Sequence, residues 1–171
     1  MIIPFMSKFL KIQYPLQLGG NNPILRVAAD YIYEITPEIR NFAYDLLDLM
    51  RLYEGVGLAA PQVGKSWRII ATTQRKSGKR GEKNTGEIVM INPEIIEYSS
   101  EIMASEEACL SLPGEQGVVR RYKQITVSYL DPEARKHTRK FESFNAAIIQ
   151  HEIDHLDGIL FIDKLVAPKK L

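Results

Sequence analysis

Two of the chain's three histidines lie four residues apart, in His151-Glu152-Ile153-Asp154-His155. On a helix, positions i and i+4 sit one turn apart on the same face, so both imidazoles can reach a single ion. Glu152 is one step round the helix, off that face, but well placed to handle a proton on a water molecule beside the ion. The alternative is a pair of solvated surface histidines. A catalytic divalent centre uses three protein ligands and keeps one position open for water. The usual third ligand downstream, a His or Glu in helical register, is missing. His137 lies in a turn among charged residues and reads as an exposed bystander. The lone thiol, Cys109, is the better candidate; its alternative is a small buried hydrophobe, a common fate of free cysteine.

The same helix carries a second signal. Phe144, Ala147 and Ile148 precede His151 by seven, four and three residues and so share its face. They would line an apolar hollow beside the ion, sized for an unbranched hydrophobic side chain, or else simply pack in the core.

Other elements must position these groups. Thr36 can cap a helix, Pro37 suits its first position, and Glu38 complements the positive end of the dipole. Ile39, Phe42, Ala43, Leu46, Leu49, Met50 and Tyr53 then recur at three- and four-residue steps until Gly55 stops the stripe. Gly55 to Gly64 is too rich in Gly and Pro for either regular element. Trp67–Thr73 reads as a strand, followed by a polar loop from Arg75 to Lys83 that also holds Lys76, Lys79 and Arg80. That loop is expected to be a solvated hairpin connection, with nucleic-acid contact as the alternative. Further strands are expected at Glu87–Ile91, Glu94–Tyr98, Ile125–Leu130 and Thr138–Phe141, with a turn at Asp131 to His137. Ser143 is expected to cap the second helix, which ends at a left-handed Gly158. A short strand at Gly158–Ile162 and a basic tail complete the reading. The first residues, to about Asn22, read as loop. These runs of strands with two helices describe an α+β fold: one domain over residues 1–171, its mixed or antiparallel strands packed around a central metal-binding helix, with an N-terminal helix.

Composition narrows the partners. The chain has 171 residues, 45% of them hydrophobic, and its 22 Lys+Arg against 21 Asp+Glu leave a formal charge of +1. That length matches one domain and a core that needs no staples. The balanced charge argues against a dedicated nucleic-acid site, and the apolar content against disorder. A single cysteine excludes an internal disulfide and suits a reducing compartment. Apolar runs fall short of the ~20 residues a bilayer requires. The apolar start is interrupted by Pro4, Lys8, Lys11 and Pro15 and lacks a cleavage site, so a soluble, cytoplasmic protein is expected.

Three segments together form a recognisable pattern. Gly55-Val56-Gly57-Leu58-Ala59-Ala60-Pro61-Gln62, Glu107-Ala108-Cys109-Leu110-Ser111 and Gln150-His151-Glu152-Ile153-Asp154-His155 resemble the three signature motifs of the peptide deformylases, in the family's order. The similarity continues between them, through NPILRVA, INPEII, SLPGEQGVVRR and LFIDKL. The resemblance implies that Cys109, His151 and His155 are the metal ligands and that Glu152 is the general base. It implies that the Gln62 amide and the Leu110 N–H stabilise an oxyanion. Gly57 would hydrogen-bond the substrate backbone, Val56 would be a further substrate-binding residue, and Phe144, Ala147 and Ile148 would take the methionine side chain. The implied reaction removes formate from N-formylmethionyl nascent peptides, with Fe²⁺ as the usual ion and Zn²⁺, Ni²⁺ or Co²⁺ substituting. Contact with the ribosome is a further implied partner. An HExxH endopeptidase and an inactive homologue that only binds nascent chains or ribosomes are the competing readings.

The match has departures. Ala108 stands where the second motif has glycine; a positive φ there would cost roughly 1–2 kcal/mol. The chain also stops at Leu171, where many bacterial members continue into a helix, a difference expected to touch ribosome contact rather than the metal centre. Arg121, and less directly Arg120, are expected to brace Asp154.

Overall fold

The structure is a computed structural model that describes residues 13–76, 79 and 81–166. The expectations for Met1–Lys11, for Arg80 and for the basic tail at Lys169 and Lys170 lie outside the described residues. Two helices and seven strands organise the rest: α1 (Pro37–Leu52), β1 (Gly57–Ala59), β2 (Ile69–Arg75), β3 (Asn84–Tyr98), β4 (Ile102–Cys109), β5 (Leu112–Tyr122), β6 (Gln124–Leu130), β7 (Lys136–Glu142) and α2 (Ser143–Leu156).

Helix α1 begins where its cap allows. Thr36 Oγ1 accepts the Ile39 N–H at 3.3 Å, satisfying one of the donors that a helix start leaves free. The apolar stripe is buried at Phe42, Ala43, Leu46, Leu49 and Met50. Truncating one such residue to alanine costs about 2–5 kcal/mol. The Gly55 N–H donates to Met50 O at 2.9 Å and closes the end of the helix.

The strands form two antiparallel sheets, one of five strands in the order β1-β2-β3-β6-β7 and one hairpin of β4 and β5. The large sheet is covered on both faces. Leu58, Ile69, Ala71, Val89 and Ile91 pack towards α1. Ala59, Ile70, Met90, Ile125 and Val127 pack towards Ala146, Ile149, Ile153 and Leu156 of α2. Alternation sends Ile69 and Ala71 one way and Ile70 the other, which is why this stretch is continuously apolar. A third cluster, of Leu112, Val119, Leu160 and Phe161, fastens the β4–β5 hairpin to the chain after α2. Helix α2 therefore lies between the large sheet and the hairpin, the central position expected of it.

Several boundaries differ from expectation. Residues Gly57–Ala59 do form a strand, a short edge strand, and Ala60–Val63 a 3-10 turn. The two strands expected around Pro93 are one, Asn84–Tyr98; the register shifts between Ile91 and Glu94, and Asn92 takes φ +50°. Proline fits a strand at such an irregularity, where the ladder is already interrupted. The β4–β5 hairpin was not anticipated, because its faces are too polar to show a clean alternation. The turn before β7 is shorter than expected, since β7 starts at Lys136. Ser143 is not the cap: it is the first helical residue, at φ +52°, and the residue at the cap position, Glu142, makes no side-chain capping bond among the described residues. Gly158 takes the expected left-handed conformation at φ +72°, but the strand expected at Gly158–Ile162 is replaced by a 3-10 turn at Phe161–Lys164. Among the described residues no helix is long and apolar enough to cross a membrane.

Candidate metal centre and active site

Cys109, at the end of β4, meets the two histidines of α2. One ligand atom from each of Cys109, His151 and His155 lies within 4.8 Å of the others. Cys109 Sγ is 3.2 Å from His155 Nε2. The third donor therefore comes from a distant strand, delivered by the β4–β5 hairpin. His137 is remote from this group: it bonds Asp131 at 2.8 Å and stacks on Tyr129, and is half-buried rather than exposed.

Each histidine is prepared for an ion at one nitrogen. His151 Nδ1 donates to Glu107 Oε2 at 2.8 Å, which leaves Nε2 for the centre, a carboxylate–histidine arrangement common at metal sites. Burial alone would lower the His151 pKa, but Cys109, Glu107 and the Glu152 charge together raise it to about 10. A cation at the three donors competes with that proton. His155 is almost wholly buried, and burial followed by the neighbouring His151 charge drives its pKa well down, keeping it a neutral donor. One thiolate and two imidazoles suit a borderline-soft divalent ion.

Behind the donors lies a buried charge network. Arg121, 3% exposed, donates to both oxygens of Glu107 at 2.7 and 2.8 Å and to Asp154 Oδ2 at 2.5 Å. Lys164 takes the other oxygen of Asp154 at 2.7 Å. The expected Arg121–Asp154 brace is present, whereas Arg120 is exposed and takes no part. Sequence reasoning missed Glu107 as the hub. It stands two residues before the thiol, on the same strand face, which was the available signal once β4 was known to be a strand. Burial disfavours its charge, yet hydrogen bonds from Arg121 and His151 outweigh that and lower its pKa to about 2.

Glu152 is 4% exposed, and its buried Oε2 has no hydrogen-bond partner among the described residues. Burial, the largest influence, raises its pKa to about 7. A carboxyl group with that affinity can take and return a proton near neutrality. Its Oε1 presses against Gly57, where an added Cβ would sit only 2.2 Å away. Any larger residue at position 57 would therefore push the glutamate side chain out of its place.

Gln62 is oriented from both ends. Its Oε1 accepts the Ala59 N–H at 2.8 Å, and its Nε2 donates to Ser111 Oγ at 3.2 Å and Cys109 Sγ at 3.5 Å. Ser111, fully buried, is another supporting residue that sequence reasoning did not single out. The donors open into a cavity of about 630 Å³, whose lining includes Val56, Gly57, Leu110, Phe144, Ala147 and Ile148. All the residues singled out for the site thus share one cavity or its immediate wall. Ala108 also lines it, and its φ is not positive, so the methyl group is accommodated without backbone strain.

Comparison with known proteins agrees with this geometry. The family model for polypeptide deformylase matches residues 17–171. A peptide deformylase of Desulforudis audaxviator is 43% identical over 159 residues, covering 93% of this chain and 94% of that one. The crystal structure of peptide deformylase from Thermotoga maritima superposes with a TM-score of 0.80 at 34% identity, covering 91% of this chain and 99% of that one. A class I type b peptide deformylase from Acinetobacter baumannii, bound to Met-Ala-Ser, gives a TM-score of 0.82 at 35% identity, over 89% and 98% of the two chains. With a Cys/His/His donor group at the end of the cavity and a match that runs nearly the whole length, the chain belongs to the peptide deformylase family, whose members are metal-dependent.

Proposed function

We propose that Cys109, His151 and His155 hold a divalent cation, ferrous iron in the cell, with zinc, nickel or cobalt able to replace it, and that Glu152 is the proton carrier beside it. The chain is an enzyme that removes the N-formyl group from nascent polypeptides and releases formate. One observation carries the site assignment: three soft-to-borderline donors within 4.8 Å of one another stand beside a buried carboxyl group with an unpartnered oxygen.

When bound, a divalent ion supplies Lewis-acid polarisation of the formyl carbonyl and lowers the pKa of water. The protein does the rest. Glu152 takes a proton from the attacking water and returns it to the departing amine nitrogen as the C–N bond breaks. Gln62 Nε2 and the Leu110 N–H donate to the oxygen as its negative charge develops; one such donor is typically worth about 3 kcal/mol of barrier. The Glu107–Arg121–Asp154 network holds the His151 ring and its tautomer. Gly57 begins edge strand β1 and Val56 immediately precedes it, so an extended peptide can pair with the backbone there. Phe144, Ala147 and Ile148 receive the methionine side chain.

We also assign residues 1–171 to one catalytic domain acting in the cytoplasm, where formylated chains emerge, with ribosome contact serving delivery. Neither the endopeptidase nor the inactive-homologue reading finds support in the relatives. The test is an anaerobic, iron-loaded assay on formyl-Met-Ala-Ser with metal analysis of the same sample. Formate release without cleavage of unformylated peptides is the expected result; ribosome binding without formate would overturn it.

A further inference from the structure

The pocket for the first side chain is not apolar throughout. Phe144 stands seven residues before His151 on α2, so the Phe144 end lies ~10 Å along the helix from the donor end. There Arg75, at the end of β2, lines the same cavity, its guanidinium carbon 5.8 Å from the centre of the Phe144 ring, within cation–π range. Its main chain is held on both sides by one residue: the Arg75 N–H donates to Asn145 Oδ1 and Asn145 Nδ2 donates to Arg75 O, each at 2.9 Å. One guanidinium nitrogen, Nη1, bonds the Glu82 carbonyl. Among the described residues Arg75 Nε, which is buried, has no hydrogen-bond partner, and no carboxylate pairs with this cation. Across the cavity, β4 contributes Ser105, on the same strand face as Glu107, and among the described residues its hydroxyl makes no hydrogen bond.

An apolar hollow that ends on an arginine with unspent donors and a free hydroxyl is matched to a side chain that is apolar along its stem and carries a hydrogen-bond acceptor at its tip. Methionine presents its sulfur ~6 Å from the formyl carbon when extended, and oxidation adds an oxygen acceptor at that sulfur. We infer that the Arg75–Ser105 end of the cavity accepts methionine sulfoxide, so that the enzyme deformylates oxidised formylmethionyl peptides as well as unoxidised ones. The inference rests on the deformylase reading above and assigns Arg75 and Ser105 as specificity-determining residues within it. The reaction is unchanged: water adds to the formyl carbon, the C–N bond breaks, and formate and a free amine result. The sulfoxide is neither formed nor reduced.

The experiment measures kcat/KM on formyl-Met-Ala-Ser and on each sulfoxide epimer of formyl-Met(O)-Ala-Ser. It is run with the full-length, iron-loaded protein and with the Arg75→Met, Arg75→Lys and Ser105→Ala variants. The ratio of oxidised to unoxidised rates is the readout, because a general folding or metal defect moves both rates together. The wild-type ratio is expected within about threefold of one for at least one epimer. It should fall at least tenfold in Arg75→Met, the worth of one charge-assisted hydrogen bond, and by less in Arg75→Lys and Ser105→Ala. Calorimetric binding of Met(O)-Ala-Ser and Met-Ala-Ser gives the same comparison without turnover. A wild-type ratio far below one, or a ratio that Arg75→Met leaves unchanged, overturns the inference while the unoxidised rate still stands. Absence of the unoxidised rate in the wild type would instead overturn the deformylase reading and the inference with it.

Discussion

Replacing Arg121 with leucine tests whether the buried ion network supports the metal centre. Three short hydrogen bonds join Arg121 to Glu107 and Asp154, and the arginine is 3% exposed. Removing it leaves two carboxylates in a nearly dry environment without their main partner. Breaking a buried pair in this way costs about 3–5 kcal/mol. The Glu107 pKa gives an independent scale. Its fall from 4.5 to about 2, against opposing burial, corresponds to about 3 kcal/mol in favour of the charged form. For a chain of this size, 3–5 kcal/mol lowers Tm by roughly 6–20 °C. Glu107 also orients His151, so metal affinity should fall about 10- to 100-fold. The pH dependence has a definite sign. A carboxyl group whose folded pKa is depressed stabilises the fold above its unfolded pKa and loses that contribution as pH falls through the folded value. The stability gap between wild type and Arg121→Leu should therefore be full above about pH 5 and shrink from 4.5 towards 2. Calorimetric melting across that range, with metal titration at pH 7, measures both effects. A Tm within about 2 °C of wild type together with unchanged metal affinity would refute the reasoning.

Glu152→Ala should keep its metal yet lose about 10²–10⁴-fold in kcat, the usual worth of a positioned acid–base group; retained turnover would remove Glu152 from the proton role. Cys109→Asp replaces a soft donor with a hard one and should weaken or change the bound metal, read by metal analysis after anaerobic loading; identical metal content and rate would exclude thiolate ligation. Gly57→Ala places a methyl group 2.2 Å from Glu152 Oε1 and should cost about 1–3 kcal/mol, with a loss of kcat as the glutamate is displaced. Unaltered denaturant unfolding and rate would show that the site has slack there. Asp131 Oδ1 accepts the N–H groups of Glu133 and Arg135, and Oδ2 bonds His137. Burial opposes the Asp131 charge, but these bonds lower its pKa below 3.8, so Asp131→Ala should cost about 1–2 kcal/mol at neutral pH and progressively less below pH 4. A penalty that grows on acidification would contradict that sign.

What the sequence by itself determined was local. The i, i+4 spacing of His151 and His155 dictates a shared helix face wherever the helix is placed, and Thr36, Pro37 and the apolar stripe dictate α1 in the same way. Both depend on backbone periodicity alone, and together with the three motifs they were enough to name the family and to propose the ligands. Only the tertiary structure decided which groups act on those ligands. Glu107 reaches His151 because β4 pairs with β5 and the hairpin folds over α2, a contact spanning 44 residues whose strands show no clear apolar alternation. The close approach at Gly57 is likewise invisible along the chain, since it comes from a carboxylate nearly a hundred residues away. Arg75 reads as part of a charged surface loop until Asn145 and Phe144 hold it against the cavity. Periodicity is a property of neighbours in sequence, whereas desolvation, charge pairing and close approach belong to neighbours in space, and these are what give Glu152 its proton affinity and the donors their fixed geometry.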